Sequence, residues 1–502
     1  MTRRTLPAVV SIAVAVLGLG SCVPAARAQP LNERFEGAVA KAKLGKTKLA
    51  CVVMDAQTER VLVARNANEA MIPASNMKLL TSGAAALVLG PQFSFRTELV
   101  YQAAGSPGVP AGGRLILRGS GDPALGDPKL LGQMGIGVED LISHWVEAAR
   151  KTGAASFEEV VIDDRVFDRE FRHPTWPVGQ ANRWYCAEVS GLIFYANLLA
   201  IYPSPQAPGS PAVLKTEPSA PWIEIRNKTK SIRQGQQTIW ATWTNPSEVT
   251  TYGDVRYSTD PVELALNNSP EFVTRLLGDR LRRAGFQVGT ARLAGENEAL
   301  AGGSVIQVVQ TPLATVLARC NMDSYNLYAE ALIKRMGHEV AQGPGSWKTG
   351  AAVVRMKLAE KLGAEAGRGI QVADGSGMSR ENKVTASLLA KWLIALAKDT
   401  KASDLFVSSL PRTGEGTMES RFESKRLKNE VRAKSGYISG VCTLSGYVTD
   451  PSTGQRLVFS ILTNDKPGGV SVASIKAFQE DVVAICDRYL TSQRDDEAQG
   501  GR

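Results

Sequence analysis

The sequence predicts an α+β fold: one antiparallel sheet with flanking helices, built from both ends of the chain and carrying a β-rich insertion. Three observations predict it. Two short apolar strands joined by a polar turn stand near the start, and a second such pair followed by an amphipathic helix stands near the end. Between them, residues 94–303 are cut by Pro and Gly into short β-prone runs. The 502 residues are 44% hydrophobic and 21% charged, enough apolar material for a large core. That balance excludes wholesale disorder, collagen-like repeats and a multi-span membrane protein.

In chain order, residues 1–28 read as an export signal. Arg3 and Arg4 precede an apolar stretch from Leu6 to Leu19, too short to span a bilayer with ease, and Ala26-Arg27-Ala28 offers a small-residue cleavage site. A second reading takes Leu19-Gly20-Ser21-Cys22 as a lipobox, with Cys22 lipidated as the mature N-terminus. Either way the protein is expected outside the cytoplasm, in the periplasm or cell envelope. Losing this segment removes three cations and no acid, taking the net charge from +9 to +6.

The predicted catalytic body comprises residues 29–93 and 304–490. Its first part holds strands at 49–54 and 60–65 around a turn at Gln57 to Glu59, then a buried helix from Ser75 to the stop at Gly90-Pro91. In the insertion, Arg114 to Arg118, Val160 to Asp163 and Tyr202 to Pro211 read as short strands. Helical spacing resumes with Leu313, Val316, Leu317 and Cys320. Strands at 441–449 and Arg456 to Thr463 flank the turn Pro451-Ser452-Thr453-Gly454, and a closing helix lines up Ile475, Phe478, Val482, Ile485 and Tyr489. Residues 491–502 are polar and expected to be disordered.

Composition narrows the chemistry. Three histidines (His144, His173, His338) and six cysteines without Cys-x-x-Cys spacing argue against a metal centre, and no cofactor is expected. Cys51, Cys186, Cys320, Cys442 and Cys486 read as buried thiols, with one disulfide allowed in an oxidising compartment. No basic run is dense enough for nucleic-acid binding. The residual positive charge suits an anionic polymer such as cell wall.

Three short motifs carry the functional reading. Ser75 and Lys78 form the chain's one Ser-x-x-Lys pair, which on a helix places both side chains on one face. A serine at a helix start sits in the positive end of the dipole, and a neutral lysine one turn on can take its proton. Such a base must be brought down from ~10.4 to about 7, worth ~4 kcal/mol, by burial and a neighbouring cation. Ser324-Tyr325-Asn326 offers a hydroxyl for proton relay and an amide for a substrate carbonyl. Lys434-Ser435-Gly436 opens a strand with a cation, a hydroxyl and a residue that lets substrate backbone approach. Lys151-Thr152-Gly153 and Lys348-Thr349-Gly350 are decoys, since neither leads into a strand. Singly, each motif has a bland reading: an N-cap serine with a solvated lysine, a turn with an Asn cap, a strand end.

Taken in this order, the motifs resemble the signature of penicillin-binding proteins and serine β-lactamases. The chain resembles in particular the class C low-molecular-mass penicillin-binding proteins, which are D-alanyl-D-alanine carboxypeptidases/endopeptidases. Asp374-Gly375-Ser376-Gly377-Met378-Ser379-Arg380, Ser324-Tyr325-Asn326-Leu327-Tyr328-Ala329-Glu330 and Leu444-Ser445-Gly446-Tyr447-Val448 look like segments of that family. Gly119-Ser120-Gly121-Asp122-Pro123 and Asp163-Asp164-Arg165-Val166-Phe167-Asp168 resemble segments of its inserted domains, and the gap of roughly 245 residues between the first two motifs also fits.

The resemblance implies a transpeptidase-like catalytic domain and a serine-type hydrolase acting on peptidoglycan stem peptides, with β-lactams as inhibitors. It implies Ser75 as nucleophile, Lys78 as base, and Ser324 with Lys434 as the proton path to the leaving D-alanine. Asn326 and Ser435 would hold the peptide and its carboxylate beside Gly436, and the N–H groups of Ser75 and Tyr437 would form an oxyanion hole, one donor of which is worth ~3 kcal/mol. Tyr325 and Ser435 depart from the family's usual Asp and Thr. Two other readings share the motifs: a β-lactamase, which needs fast deacylation, and a non-catalytic wall-binding protein on the same fold.

Overall fold

The computed structural model describes Met1 and residues 30–500. The export-signal segment and Cys22 lie outside the described residues.

The first block runs α1 (Leu31–Lys41), β1 (Lys48–Asp55), β2 (Val61–Arg65), a 3₁₀ turn at Ala74–Asn76 and α2 (Met77–Leu89). The insertion follows with β3 (Ser94–Gln102), β4 (Arg114–Arg118), α3 (Pro128–Met134), α4 (Val138–Arg150), β5 (Ser156–Asp163), β6 (Leu198–Ser204), β7 (Val213–Glu217), β8 (Glu224–Ser231), β9 (Trp240–Asn245), β10 (Glu248–Val255), β11 (Val262–Ala265), α5 (Ser269–Arg283), β12 (Gln287–Leu293) and β13 (Ser304–Pro312). The chain then returns through α6 (Leu313–Met322), α7 (Asn326–Ala341), α8 (Trp347–Leu362), α9 (Ala364–Arg368), α10 (Ala386–Lys398) and α11 (Ser403–Ser408). It closes with β14 (Glu430–Ile438), β15 (Val441–Thr449), β16 (Arg456–Asn464) and α12 (Val472–Gly500).

The catalytic sheet has the order β14-β15-β16-β1-β2, antiparallel throughout, so β1 from the chain's start pairs with β16 from its end. Both faces are covered, which is why β1 is buried along nearly its whole length. Period-two alternation divides the load. Cys51 and Val53 join Phe35 of α1 and Ile475, Phe478 and Val482 of α12 in one core cluster. Ala50, Val52 and Met54 join α2 and α10 in the other. On that second face Trp392 Nε1 donates to the Leu79 carbonyl at 3.0 Å and Tyr447 hydroxyl to the Leu393 carbonyl at 2.8 Å. A Cβ at Gly83 would sit 2.8 Å from Trp392 Nε1, so this residue's smallness sets the α2–α10 approach.

Several expectations are corrected. The insertion ends at Pro312 rather than 303. β13 pairs with β3 from Ser304 opposite Tyr101 to Pro312 opposite Ser94, so the chain leaves and re-enters the catalytic body on adjacent strands of the sheet β12-β5-β4-β3-β13. Nor is the insertion only β: β4, β5 and β12 run parallel, and α4 and α5 supply the crossovers that parallel pairing requires. The tail expected to be disordered from 491 continues α12 to Gly500. Leu490 is buried, Asn429 Nδ2 donates to Thr491 Oγ1 at 3.3 Å, and Arg494 lies 3.4 Å from Asp450. Ser75 precedes the α-helix instead of opening it. All five described cysteines are buried and free, so the allowed disulfide does not form.

Candidate active site

The turn that carries Ser75 is held by the sheet edge. Ala74 adopts φ +46, turning the chain sharply into the 3₁₀ segment that carries Ser75. Thr443 hydroxyl donates to the Pro73 carbonyl at 2.9 Å. Asn76, fully buried, gives Nδ2 to the Lys434 carbonyl at 2.7 Å and accepts from Ser445 hydroxyl at 2.7 Å. The amide of the residue next to Ser75 therefore bolts its turn to β14, joining two motifs more than 350 positions apart in sequence.

Lys78, one turn into the helical segment, is wholly buried. Its Nζ donates to Ser75 Oγ at 3.3 Å, Asn326 Oδ1 at 2.8 Å and the Ser376 carbonyl at 3.0 Å. Burial lowers its pKa from 10.5 to about 8, against the opposing pull of Cys320, Glu330 and Asp374. No carboxylate touches the amine; its three acceptors are all uncharged.

Asn326 starts α7, and its Nδ2 donates to the Tyr185 carbonyl of the insertion at 3.0 Å. Ser324 precedes it at φ +58 on the α6–α7 connection, and its half-buried hydroxyl makes no hydrogen bond to Ser75, Lys78 or Lys434. Tyr325 points elsewhere: its ring lies 5.2 Å from Trp184, 5.5 Å from Tyr328 and 5.1 Å from the Arg319 guanidinium.

Lys434 on β14 is also fully buried, and its Nζ donates to the Ser435 carbonyl at 2.9 Å. Burial, followed by the charge of Lys78, holds its pKa well below the usual lysine value. A Cβ on Gly436 would meet Thr443 Oγ1 and would lie 2.9 Å from the Ser75 nitrogen, so the strand backbone passes directly over the Ser75 amide. Ser435 is half-buried, and the Tyr437 side chain is 55% exposed. The fold thus joins Ser75, Lys78 and Asn326 by direct contact and brings the backbone of Lys434 and Gly436 against the same turn. Ser324 and Ser435 contribute no side-chain hydrogen bond to this cluster. Of the other two triplets, Lys348 to Gly350 lie within α8, while Lys151-Thr152-Gly153 follows α4, with Gly153 at φ +78, and, contrary to expectation, does lead into a strand, β5, which starts after two intervening residues at Ser156.

Two functional neighbours escaped the sequence reading. The Ser376 carbonyl holds Lys78, and Glu330 holds the loop that presents that carbonyl. Glu330 accepts from Ser376 N at 2.8 Å, Gly375 N at 2.9 Å and Trp347 Nε1 at 2.8 Å. Burial and then Asp374 push its pKa up to about 7, against the pull of those donors. Asp374 ties the loop on itself through Gly377 N, Ser379 N and Asn382 Nδ2, and takes Trp176 Nε1 from the insertion at 2.9 Å. The available signal was a lone acid one helical turn after Asn326 in an otherwise apolar stretch. Among the described residues no cluster of His, Cys, Asp and Glu could hold a metal, and no helix is long and apolar enough to cross a membrane.

An antiparallel sheet edge beside a serine–lysine pair at a helix start defines the penicillin-binding and serine β-lactamase class of acyl-transfer enzymes. Within that class the chain belongs to the D-Ala-D-Ala carboxypeptidase 3 (S13) family, whose model matches residues 31–489. It is 29% identical over 475 residues to the D-alanyl-D-alanine carboxypeptidase of Actinomadura sp. (strain R39), covering 89% of this chain and 83% of that one. It is 25% identical over 414 residues to the D-alanyl-D-alanine carboxypeptidase DacB of Haemophilus influenzae, covering 80% and 82%. The solved structure of penicillin binding protein 4 from H. influenzae superposes with a TM-score of 0.71 at 20% identity, covering 89% of this chain and 98% of that one, and so shares the fold. A second structure of that protein, in complex with a β-lactam, superposes at a TM-score of 0.67 with 20% identity, covering 90% and 99%. The chain is accordingly a serine-type D-Ala-D-Ala carboxypeptidase.

Proposed function

We propose that Ser75 is the nucleophile that opens the D-Ala-D-Ala bond of peptidoglycan stem peptides. Neutral Lys78 takes the Oγ proton as Oγ bonds to the carbonyl of the penultimate D-alanine. The C–N bond then breaks, and the departing D-alanine amine receives a proton along Ser324 and Lys434. Water hydrolyses the resulting ester and restores the hydroxyl. The N–H groups of Ser75 and Tyr437 receive the oxyanion, Asn326 orients the peptide, and Ser435 and the open backbone at Gly436 receive the terminal carboxylate. A β-lactam enters the same geometry and acylates Ser75.

One observation carries this reading: a fully buried amine, brought down to about 8, lies 3.3 Å from a serine hydroxyl. The proximity of Gly436 to the Ser75 nitrogen supports the oxyanion assignment. Intact-mass spectrometry after incubation with benzylpenicillin tests it. A stoichiometric adduct on the wild type and none on Ser75→Ala is expected. A folded wild type that takes no adduct returns the chain to a non-catalytic wall binder, and rapid nitrocefin turnover would return it to a β-lactamase. Incubation with purified muropeptides then separates the two peptidase actions, release of free D-alanine marking carboxypeptidase and cleavage of cross-linked dimers marking endopeptidase. We place the enzyme in the cell envelope from its leader. The mass of the mature N-terminus distinguishes cleavage before Gln29 from a lipid anchor on Cys22.

A further inference from the structure

Four aromatic rings are a third or more exposed among the described residues: Trp184, Trp240, Tyr257 and, next to Gly436, Tyr437. Exposed rings are the commonest anchors of binding surfaces. Two of these four are tied to the catalytic centre by a continuous run of contacts. Lys78 holds Asn326 Oδ1, and Asn326 Nδ2 holds the Tyr185 carbonyl. Three residues back along the same segment, Asn182 Nδ2 donates to Thr242 Oγ1 of β9 at 2.8 Å. Trp184 lies two residues from Asn182 and Trp240 two residues from Thr242, about 7 Å of chain on each side of that bond.

Trp240 opens β9, an edge strand of the sheet β8-β10-β9. Lys228, Tyr252 and Trp240 stand in register across that sheet. The two rings stack at 4.5 Å and 15°, and Lys228 Nζ lies 5.4 Å from the Tyr252 centroid. Trp240 remains 48% exposed, and no second ring stacks on it among the described residues. Period-two alternation sets Thr242 on the same side as Trp240, so the Asn182–Trp184 segment and the open ring border one surface. The opposite side faces the core, where Val249 is buried and Trp243 Nε1 donates to the Ala265 carbonyl at 2.8 Å. On the open side β8 exposes Glu224, Arg226, Lys228 and Lys230, with no aliphatic residue among them. Arg226 is committed to Glu248 at 2.8 Å, whereas Lys228 and Lys230 make no ion pair among the described residues.

Flat rings set among polar groups, with no aliphatic neighbours, suit the flat apolar faces of sugar rings. A protein partner would call for an apolar interface core that this surface lacks. We propose that Trp184 and the Trp240–Tyr252 pair form an extended subsite for the glycan strand of the substrate polymer, with Lys228 and Lys230 facing carboxyl groups borne on that strand. The inference rests on the reading that a peptidoglycan stem peptide occupies the Ser75 site. The strand that bears this peptide has to pass over the protein outside the cleft, and segment 182–185 leads from Asn326 to β9.

The test uses the mature enzyme and peptidoglycan glycan strands stripped of their stem peptides, titrated calorimetrically at fixed ionic strength, with phosphatidylglycerol vesicles as a second probe. Saturable binding of the strands is expected. Trp240→Ala should weaken it ~5–10-fold, the loss of one aromatic anchor, and Trp240→Phe should bring it back to within about threefold of wild type. D-alanine release should divide in the same way. In Trp240→Ala the KM for uncross-linked polymeric strands should rise ~5-fold at unchanged kcat, while a free pentapeptide is turned over as by the wild type. Benzylpenicillin labelling at the wild-type rate certifies that the variant is folded. Enzyme that is labelled but binds no strands overturns this proposal alone. Strands that bind through Trp240 to enzyme taking no label uphold the subsite and overturn the Ser75 reading alone. Equal strand affinity in wild type and folded Trp240→Ala overturns the proposal, as does binding of vesicles in place of strands or a dimer that Trp240→Ala dissolves.

Discussion

Among the described residues three lysines are fully buried, Lys78, Lys434 and Lys334, and they stand in two regions that treat an amine differently. Around Ser75, Lys78 and Lys434 reach only uncharged oxygens. About two turns further along α7, Lys334 donates to the Asp168 carboxylate at 2.7 Å and the Glu170 carbonyl at 2.7 Å, with its Nζ 3.9 Å from the Trp347 ring centroid. Burial lowers the pKa in both places, but at Lys334 a carboxylate in contact opposes it. Desolvation without a contacting anion makes a proton acceptor; desolvation with one makes a fastener, here between the insertion and the catalytic helices.

The largest effect that tests this contrast is loss of the base. Lys78→Ala should slow benzylpenicillin acylation by ~10³-fold at neutral pH, within the range for general-base removal. In the wild type the acylation rate should climb with pH up to about 8 and then level, because the neutral amine accumulates through that value. The sign also fixes a stability consequence. The folded pKa lies below the unfolded 10.5, so the folded state holds fewer protons between those values, and the contribution of Lys78 to stability rises across that window. A stopped-flow pH profile that is flat between 6 and 9 would count against Lys78 as the base.

How far the sequence could be read follows the same division. Ser75, Lys78 and Asn326 were legible because chemistry demands those residue types at short local spacing, and the catalytic strands because apolar runs alternate around turn residues. Glu330 and Ser376 were not. One acts through the N–H groups it holds and the other through a backbone carbonyl, and a carbonyl has no letter in a sequence. The parallel trio β4, β5 and β12 was equally opaque, since its pairings cross α4 and α5 and join positions up to 131 residues apart. The tail read as disordered because its anchor, Asp450, lies 44 positions away.

A smaller loss should follow from touching the strand that overhangs the nucleophile. Gly436→Ala introduces a Cβ against Thr443 Oγ1 and within 2.9 Å of the Ser75 nitrogen, backbone that cannot step aside without moving the oxyanion donor. Acylation should fall by ~10²-fold, about what one displaced donor is worth, with global stability reduced by only ~1–2 kcal/mol. The rate loss should exceed the stability loss in kcal/mol; the reverse order, measured by urea unfolding beside acylation kinetics, would assign Gly436 to packing.

Lys334→Met sharpens the other side of the comparison. It removes the fastener and leaves Asp168, whose side chain is 31% exposed and can turn to water, so the penalty is below that of a sealed ion pair. A stability loss of ~2 kcal/mol is expected, with the acylation rate of the folded enzyme within about twofold of wild type. A fall in acylation as deep as that of Lys78→Ala would erase the distinction between the two regions.

The smallest effect concerns Tyr325, the middle residue of the Ser324-Tyr325-Asn326 motif. Its ring is packed between Trp184, Tyr328 and the Arg319 guanidinium, and its hydroxyl makes no hydrogen bond among the described residues. The ring is therefore the contributing part and the oxygen is not. Tyr325→Phe keeps every aromatic contact and the cation–π contact with Arg319, and should change stability by less than ~0.5 kcal/mol and acylation by less than about twofold. Tyr325→Asp removes the ring from that packed site and sets a carboxylate near Asp127 and Glu263, the groups whose charges already act on this position. It should destabilise by ~2–3 kcal/mol. If the Asp variant is instead the more stable of the two, the middle position answers to the charge of Arg319 rather than to the aromatic packing, and the cleft wall on this side is electrostatic after all.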